Sequence, residues 1–416
     1  MLPRGEGKEG SGQKQCDDLR ADDYTAMACV VYSVHTMFHR AEPDVIRIML
    51  KERAVQVSSV EVDVLFVPVT RPYSAGGRQV TGNWHVLARL TTSDGVQGYG
   101  YIVALRQGLV AAVAQATREL SSQLVGMHVL EVEAAWERLA SVGDWVGPGG
   151  LLHYAIAPLD IALWDAAGKT LGQPLYRLLG GYRDRLPAYA SDGLWYSLSL
   201  DELAESASGH VAHGYTAIKM RLGHEARPEA EARRVQAVRQ AVGPDIRVLV
   251  DATESWQLSQ AMQTGRVLQE AGITWLEDPV QHEDVTGLST IASDLLIPVA
   301  TGEHLYQLTE FHRLLQTRAA DVAIIDLGRI GGITPWRRVA ALAQAYHIPV
   351  CGHVIPEIHV HLLSAIPHGY MVENVPRSEA ILQGMPTLED GCLVAPKGPG
   401  LGLELDEAAV QRYRIG

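Results

Sequence analysis

Three short apolar runs, each ending in a carboxylate, constrain this chain more than any other feature: Arg247-Val-Leu-Val-Asp251, Ile273-Thr-Trp-Leu-Glu277 and Ile297-Pro-Val-Ala-Thr-Gly-Glu303. Each is rich in β-branched or aromatic residues and follows a longer segment of helical character. Each therefore reads as a buried parallel strand with the acid at its C-terminal end. The acids stand 26 residues apart in both steps, about the length of one strand-helix unit in a (β/α)8 barrel. On adjacent strands they would converge on one point. Three like charges in one cleft repel unless a cation lies between them, and oxygen-only ligands suit Mg²⁺.

The pattern continues on both sides. Leu186 to Ala190 reads as the first barrel strand, and Tyr215 to Lys219, Val322 to Asp326, Ile348 to His353 and Tyr370 to Glu373 as further ones. Those four also end in an ionisable residue, at the end of a barrel strand where that fold keeps its chemistry.

At 416 residues the chain is too long for one average domain, and a barrel plus a second domain accounts for it. Val57 to Pro68 alternates as a half-buried strand does, with Val60, Val62 and Val64 on one side. Trp84 to Thr91 alternates again and is followed by a turn at Ser93-Asp94-Gly95 and a strand through Tyr99 and Ile102, so an antiparallel sheet is expected. Arg71 to Thr81 reads as a loop with few apolar anchors, and Leu109 to Val142 as helical. Asp160 to Leu171 carries an apolar stripe at helical spacing, with Asp165 and Lys169 four apart, and reads as structural. The expected division is a capping domain over 57–185, rejoined by 375–416, and a barrel over 186–374. Residues 1–56 fit neither unit; a disordered extension and a true start at Met49 both stay open.

A composition of 47% apolar and 20% charged residues is that of a soluble globular protein. The net charge of -13 argues against nucleic acid or an acidic membrane face as main partner. An anionic substrate stays possible, because a bound divalent ion reverses the local sign. Cys16, Cys29, Cys351 and Cys392 lack metal-site or disulfide-framework spacing, which points to a reducing, cytoplasmic setting. Thr25 to Phe38 is too short for a membrane span and follows Asp22-Asp23, where a secretion signal would be basic.

Taken together, Lys219-x-Arg221, Asp251, Leu276-Glu277-Asp278-Pro279, Thr301-Gly302-Glu303, Asp326-Leu-Gly-Arg-Ile-Gly-Gly332, His353 and Glu373 resemble the mandelate racemase subgroup of the enolase superfamily. The likeness runs from about Val57 to the C-terminus. It implies an α/β fold, a (β/α)8-type barrel under an α+β cap formed from both chain ends, with Mg²⁺ held by Asp251, Glu277 and Glu303. It also implies abstraction of the proton α to a carboxylate, which creates an enediolate whose charge a divalent ion stabilises. Enolase-superfamily sites are themselves a standard example of a Lys or His base working with Mg²⁺.

Asp326 and His353 fall on successive predicted strands and would form a dyad, the acid fixing the tautomer and raising the imidazole's basicity. Glu373 matches the family's carboxylic acid that hydrogen-bonds the substrate carboxylate, a role requiring a protonated, partly desolvated group. Arg329 resembles a partner behind the site, and Ser191 a carboxylate ligand. Many members carry Lys-x-Lys, whose second lysine is a base on the face opposite the histidine. Here Arg221 takes that place, and arginine stays protonated at ordinary pH. Thr253 stands where the family often has Asn, so the pocket around the substrate hydroxyls is expected to differ.

The reading that follows is dehydration of a sugar acid to a 2-keto-3-deoxy acid, with His353 as acid-base group, Lys219 and Arg221 as anchors and Glu373 as electrophile. A racemase or epimerase of an α-hydroxy acid is the rival, and a catalytically silent binding barrel a second alternative. The partner expected is a small-molecule carboxylate, and the chain a homo-oligomer. Arg78, Trp84 and His85 are candidate contacts for the distal end of the substrate.

Overall fold

The computed structural model describes residues 55–75, 78–104 and 107–415. The expectation for residues 1–56 therefore falls almost wholly outside the described residues. Gln56 N–H donates to Ser93 Oγ at 3.2 Å and its carbonyl accepts from Ser93 N at 2.7 Å.

Three antiparallel strands in chain order, β1 (Val57–Ala75), β2 (Arg78–Thr92) and β3 (Gln97–Ala104), form the first sheet. The expected loop over Arg71 to Thr81 is instead the far end of the β1-β2 hairpin, with Tyr73 opposite Val80. The ladder shifts register between Pro68 and Tyr73, where Pro68 and Pro72 offer no N–H. It resumes because the Tyr73 ring stacks on Trp195 of the barrel, centroids 4.4 Å apart. That anchor is invisible in local sequence.

Helices α1 (Val110–Ser121), α2 (Val132–Val142) and α3 (Gly150–Thr170) follow. β3 lies directly on α3: a Cβ at Gly100 would collide with the Pro158 carbonyl, and one at Gly98 with that of Ala162. Asp165 of α3 accepts from Tyr99 N at 2.9 Å and Leu401 N at 2.7 Å and pairs with Lys169 at 2.7 Å. It thereby ties β3, α3 and the C-terminal segment together.

Eight parallel strands then alternate with helices: β4 (Arg185–Ala190), β5 (Ala217–Arg221), β6 (Arg247–Asp251), β7 (Leu276–Glu277), β8 (Val299–Thr301), β9 (Val322–Asp326), β10 (Val350–His353) and β11 (Val372–Asn374). β4 to β10 pair in sequence order and β11 pairs with β4. Val350 N bonds to His368 O at 3.0 Å and Tyr370 N to Val350 O at 2.8 Å, which ties β10 to the approach of β11 and closes a (β/α)8-type barrel. Its interior is filled by Tyr189, Ala217, Leu249, Trp275, Ala300, Ile324, Cys351 and Met371, all at most 1% exposed. The C-terminal residues return to β1, where Ile415 N bonds to Val64 O at 2.8 Å and Arg414 pairs with Asp63 at 2.8 Å. No described helix is long and apolar enough to cross a membrane.

Candidate active site

Strand periodicity builds the site. Side chains two residues apart share a face, so the residue two places after each interior one points into the barrel mouth, a layer higher. Leu249 is followed in this way by Asp251, Trp275 by Glu277, Ile324 by Asp326, Cys351 by His353, Met371 by Glu373, and Ala217 by Lys219 and then Arg221. Glu303 breaks the count, standing three places after Ala300. Gly302 makes the difference, with φ 124 and no room for a Cβ between Ile324 O and the Phe311 ring.

Lys219 is the hub. Its buried ammonium lies 2.5 Å from Glu277, 2.9 Å from Glu373 and 3.6 Å from Asp251. Burial alone would lower its pKa, but the three acids hold it well above the ordinary lysine value. Glu277 also accepts from Trp275 Nε1 at 3.0 Å. Burial pushes the Glu277 carboxyl up, with Asp251, Glu303 and Glu373 adding to it against the pull of Lys219.

Arg221 donates to the backbone oxygen of Ser191 and to its Oγ, the latter at 3.0 Å, and lies 3.6 Å from Asp251 and 3.8 Å from Glu373. The resemblance implies a protonated Glu373. The fold holds it ionised, because Lys219, His353 and Arg221 surround it and outweigh burial, while Ser191 Oγ donates to it at 2.5 Å and Val354 N at 2.8 Å.

The dyad is formed. His353 Nδ1 lies 2.6 Å from Asp326 Oδ2, and Arg329 N donates to Asp326 Oδ1 at 2.7 Å. Despite burial, hydrogen bonding to His353 and its charge hold Asp326 down at about 2. His353 moves the other way: burial favours its neutral form, but Glu303 and Asp326 raise it to about 9. With Nδ1–H donated to Asp326, Nε2 is left as the basic atom, 3.5 Å from Glu303 Oε1.

Asp251, Glu303, Asp326, His353, Arg221 and Arg329 all line one cavity of about 760 Å³ between barrel and cap, a volume typical of small-molecule sites. Asp251, Glu277 and Glu303 stand at or just beyond the ends of the adjacent strands β6, β7 and β8. Among the described residues, the trios whose ligating atoms come within 4.8 Å of one another are Glu254, His282 and His304, and Asp278, Glu303 and His304. Glu277 is in neither trio; its two oxygens accept from Lys219 Nζ at 2.5 Å and Trp275 Nε1 at 3.0 Å.

Thr253 reaches the cavity, its N–H donating to Asp251 Oδ1 at 2.8 Å. Ser191 does not; it is wholly buried and spent on Glu373 and Arg221. Among the distal candidates, His85 is also wholly buried, against Ser378, and Trp84 packs on Phe66 in the cap core. The Arg78 side chain lies outside the described residues. Sequence reasoning missed Glu254, His304 and Arg377, which do line the cavity. Only adjacency to Glu303 could have drawn attention to His304.

Residues 59–180 match the mandelate racemase / muconate lactonizing enzyme N-terminal domain, and residues 202–409 match the enolase C-terminal domain-like family. The chain belongs to the mandelate racemase / muconate lactonizing enzyme family. Among similar members, a 3,6-anhydro-alpha-L-galactonate cycloisomerase of Streptomyces coelicolor is 32% identical over 80% of this chain and 91% of that protein. An L-talarate/galactarate dehydratase of Salmonella typhimurium is 30% identical over 86% of this chain and 91% of its own. The crystal structure of an L-talarate dehydratase from Polaromonas sp. JS666, complexed with Mg and L-glucarate, superposes with a TM-score of 0.81 at 30% identity, covering 87% of this chain and 98% of that one. Within the mandelate racemase / muconate lactonizing enzyme family, then, similarity in sequence extends to a dehydratase and a cycloisomerase alike, and similarity in fold to a dehydratase.

Proposed function

We propose that this chain is a Mg²⁺-dependent acid-sugar dehydratase, which removes the proton α to the carboxylate of a polyhydroxy acid and expels the β-hydroxyl as water, leaving a 2-keto-3-deoxy acid. One observation carries the reading: the Lys219 and Arg221 side of the site offers no proton acceptor. Lys219 is pinned as an ammonium by three acids, and Arg221 is a guanidinium that stays protonated, two of its N–H groups donating to Ser191. Racemisation needs acid-base groups on both faces of the α-carbon, whereas elimination can proceed with His353 alone.

The residues fit a hard divalent ion. Asp251, Glu277 and Glu303 are oxygen donors only, and Glu277 is raised by burial first and then by the neighbouring acids, against the pull of Lys219. Those three would hold Mg²⁺, which when bound supplies positive charge beside the substrate carboxylate. His353, oriented by Asp326, takes the α-proton at Nε2 and returns a proton to the departing hydroxyl. Lys219 and Arg221 position the carboxylate. Glu373, held ionised, keeps Ser191, Arg221 and the Val354 N–H in place rather than donating a proton as a neutral acid.

The same proposal assigns a cap to residues 57–185 with 375–416 and a barrel to 186–374, supported by the return of Arg414 and Ile415 to β1. It also includes cytoplasmic residence, supported by the scattered cysteines, and assembly into homo-oligomers. Incubation with acid sugars in D₂O tests the reaction. A 2-keto-3-deoxy product is expected; deuterated substrate of inverted configuration without keto product would overturn the assignment in favour of a racemase.

A further inference from the structure

Arg377 closes a corner of the cavity three residues after the end of β11. Its side chain is 5% exposed, yet the nearest acid among the described residues, Asp192, stands 3.8 Å away. Asp192 Oδ1 is itself taken by Gly193 N at 2.9 Å and Trp195 Nε1 at 3.2 Å. Arg377 Nε is buried without a hydrogen-bond partner. The guanidinium lies 5.0 Å over the Tyr73 ring, whose hydroxyl is likewise buried and unpartnered. Two orphaned donors thus sit together where the β1-β2 hairpin meets the barrel, and Val80, opposite Tyr73 in the hairpin, also lines the cavity.

The contrast with the cavity's other guanidinium groups is informative. On the far side of the Trp195 ring from Tyr73, Arg221 is held by Ser191, Asp251 and Glu373. Arg329 donates to Glu303 O at 2.6 Å. A desolvated guanidinium is most stable when a carboxylate meets its planar fork of donors; among the described residues Arg377 has only the Asp192 Oδ2 at 3.8 Å, beyond hydrogen-bond distance, and its Nε has no partner.

We propose that Arg377, assisted by the Tyr73 hydroxyl, binds a second, distal carboxylate, so that the enzyme selects six-carbon sugar diacids over the monoacids that end in a CH₂OH group. The inference rests on the acid-sugar reading above and narrows it. The relatives leave the choice open, since they include both a talarate/galactarate dehydratase and an anhydrogalactonate cycloisomerase.

The test is calorimetric binding, in the presence of Mg²⁺, of three pairs differing only at the distal end: galactarate and galactonate, glucarate and gluconate, mannarate and mannonate. At least one diacid is expected to bind roughly 10- to 100-fold tighter than its monoacid, the range for hydrogen bonds to a charged group. Arg377→Met, which preserves length and packing on Tyr73, should abolish the preference and raise KM for diacids more than it lowers kcat. Arg377→Lys should keep part of the preference, and Tyr73→Phe should weaken diacids a few-fold while sparing monoacids.

Equal or tighter binding of the monoacids or of mandelate by the wild type, no binding by any member of the panel, or equal loss of both classes in Arg377→Met and Arg377→Lys would overturn the proposal. The two readings fail separately. Diacid binding that depends on Arg377 without keto product sinks the dehydratase assignment alone, whereas keto product from monoacids only sinks the diacid assignment alone.

Discussion

Arg221 stands two residues beyond Lys219 on β5, so the two cations share one inward face. A lysine at 221 could lose its proton where arginine cannot. Arg221→Lys should therefore produce a small amount of epimerised, deuterated substrate in D₂O, with none from the wild type; nuclear magnetic resonance of recovered substrate reads it. His353→Asn removes the proposed base while preserving size, and kcat for dehydration should fall by about 10² to 10⁴.

The pH behaviour of His353 has a definite sign. Glu303 and Asp326 raise it to about 9, although burial opposes them. The base acts only when unprotonated, so activity should rise with pH through its titration. A cation at Glu303 offsets one of the two acids, so adding Mg²⁺ should move the ring-proton titration of His353 to lower pH and chelation should move it back. A titration indifferent to Mg²⁺ places the ion elsewhere. The identities of these residues were legible in sequence, but their charge states were not. Glu373 reads as a neutral acid until Lys219 and Arg221, distant in sequence, are seen beside it.

Two buried histidines show how whole elements are tied by neutral imidazoles. His361, in the helix Pro356–Ser364, accepts from Tyr176 N at 3.3 Å and donates to Leu401 O at 2.9 Å; His85 lies within β2 against Ser378. Burial lowers both to about 4. A depressed folded-state pKa means that the unfolded chain binds protons first, so stability is full above about 6.5 and is lost as pH falls toward 4. Each contributes on the order of 3 kcal/mol over that window. Thermal melts between pH 7 and pH 4.5 should show a falling Tm, with a shallower slope in His361→Gln.

The elements themselves were largely readable, because strand alternation and helical stripes are local patterns. The hairpin end was not: Arg71 to Thr81 has few apolar anchors of its own, and its Tyr73 packs on Trp195 of the barrel.

At the scale of the molecule, α3 joins cap to barrel. Asp160 accepts from Thr334 N at 3.0 Å and Thr334 Oγ at 2.6 Å, and Trp164 Nε1 donates to the same hydroxyl at 2.9 Å. Thr334 opens the helix Ile333–Ala345 and is wholly buried. Asp160→Ala leaves its N–H without a partner and should cost about 1–3 kcal/mol, measured by urea denaturation. The Asp160 helix reads from sequence as structural by its stripe alone, with no sign of which barrel helix it grips.

The barrel and the ionisable groups at its strand ends follow from sequence alone, though not Glu254, His304 or Arg377, since a two-residue strand period and a 26-residue interval between acids place like groups at like heights. Only the tertiary structure decided which of those groups meet. Lys219 gathers Glu277, Glu373 and Asp251 around one ammonium, Gly302 changes the count that brings Glu303 to the cavity, and the cap sets Tyr73 against Arg377. The physical reason is that a charge's state and partner depend on burial and on neighbours drawn from several strands, and no local pattern encodes either.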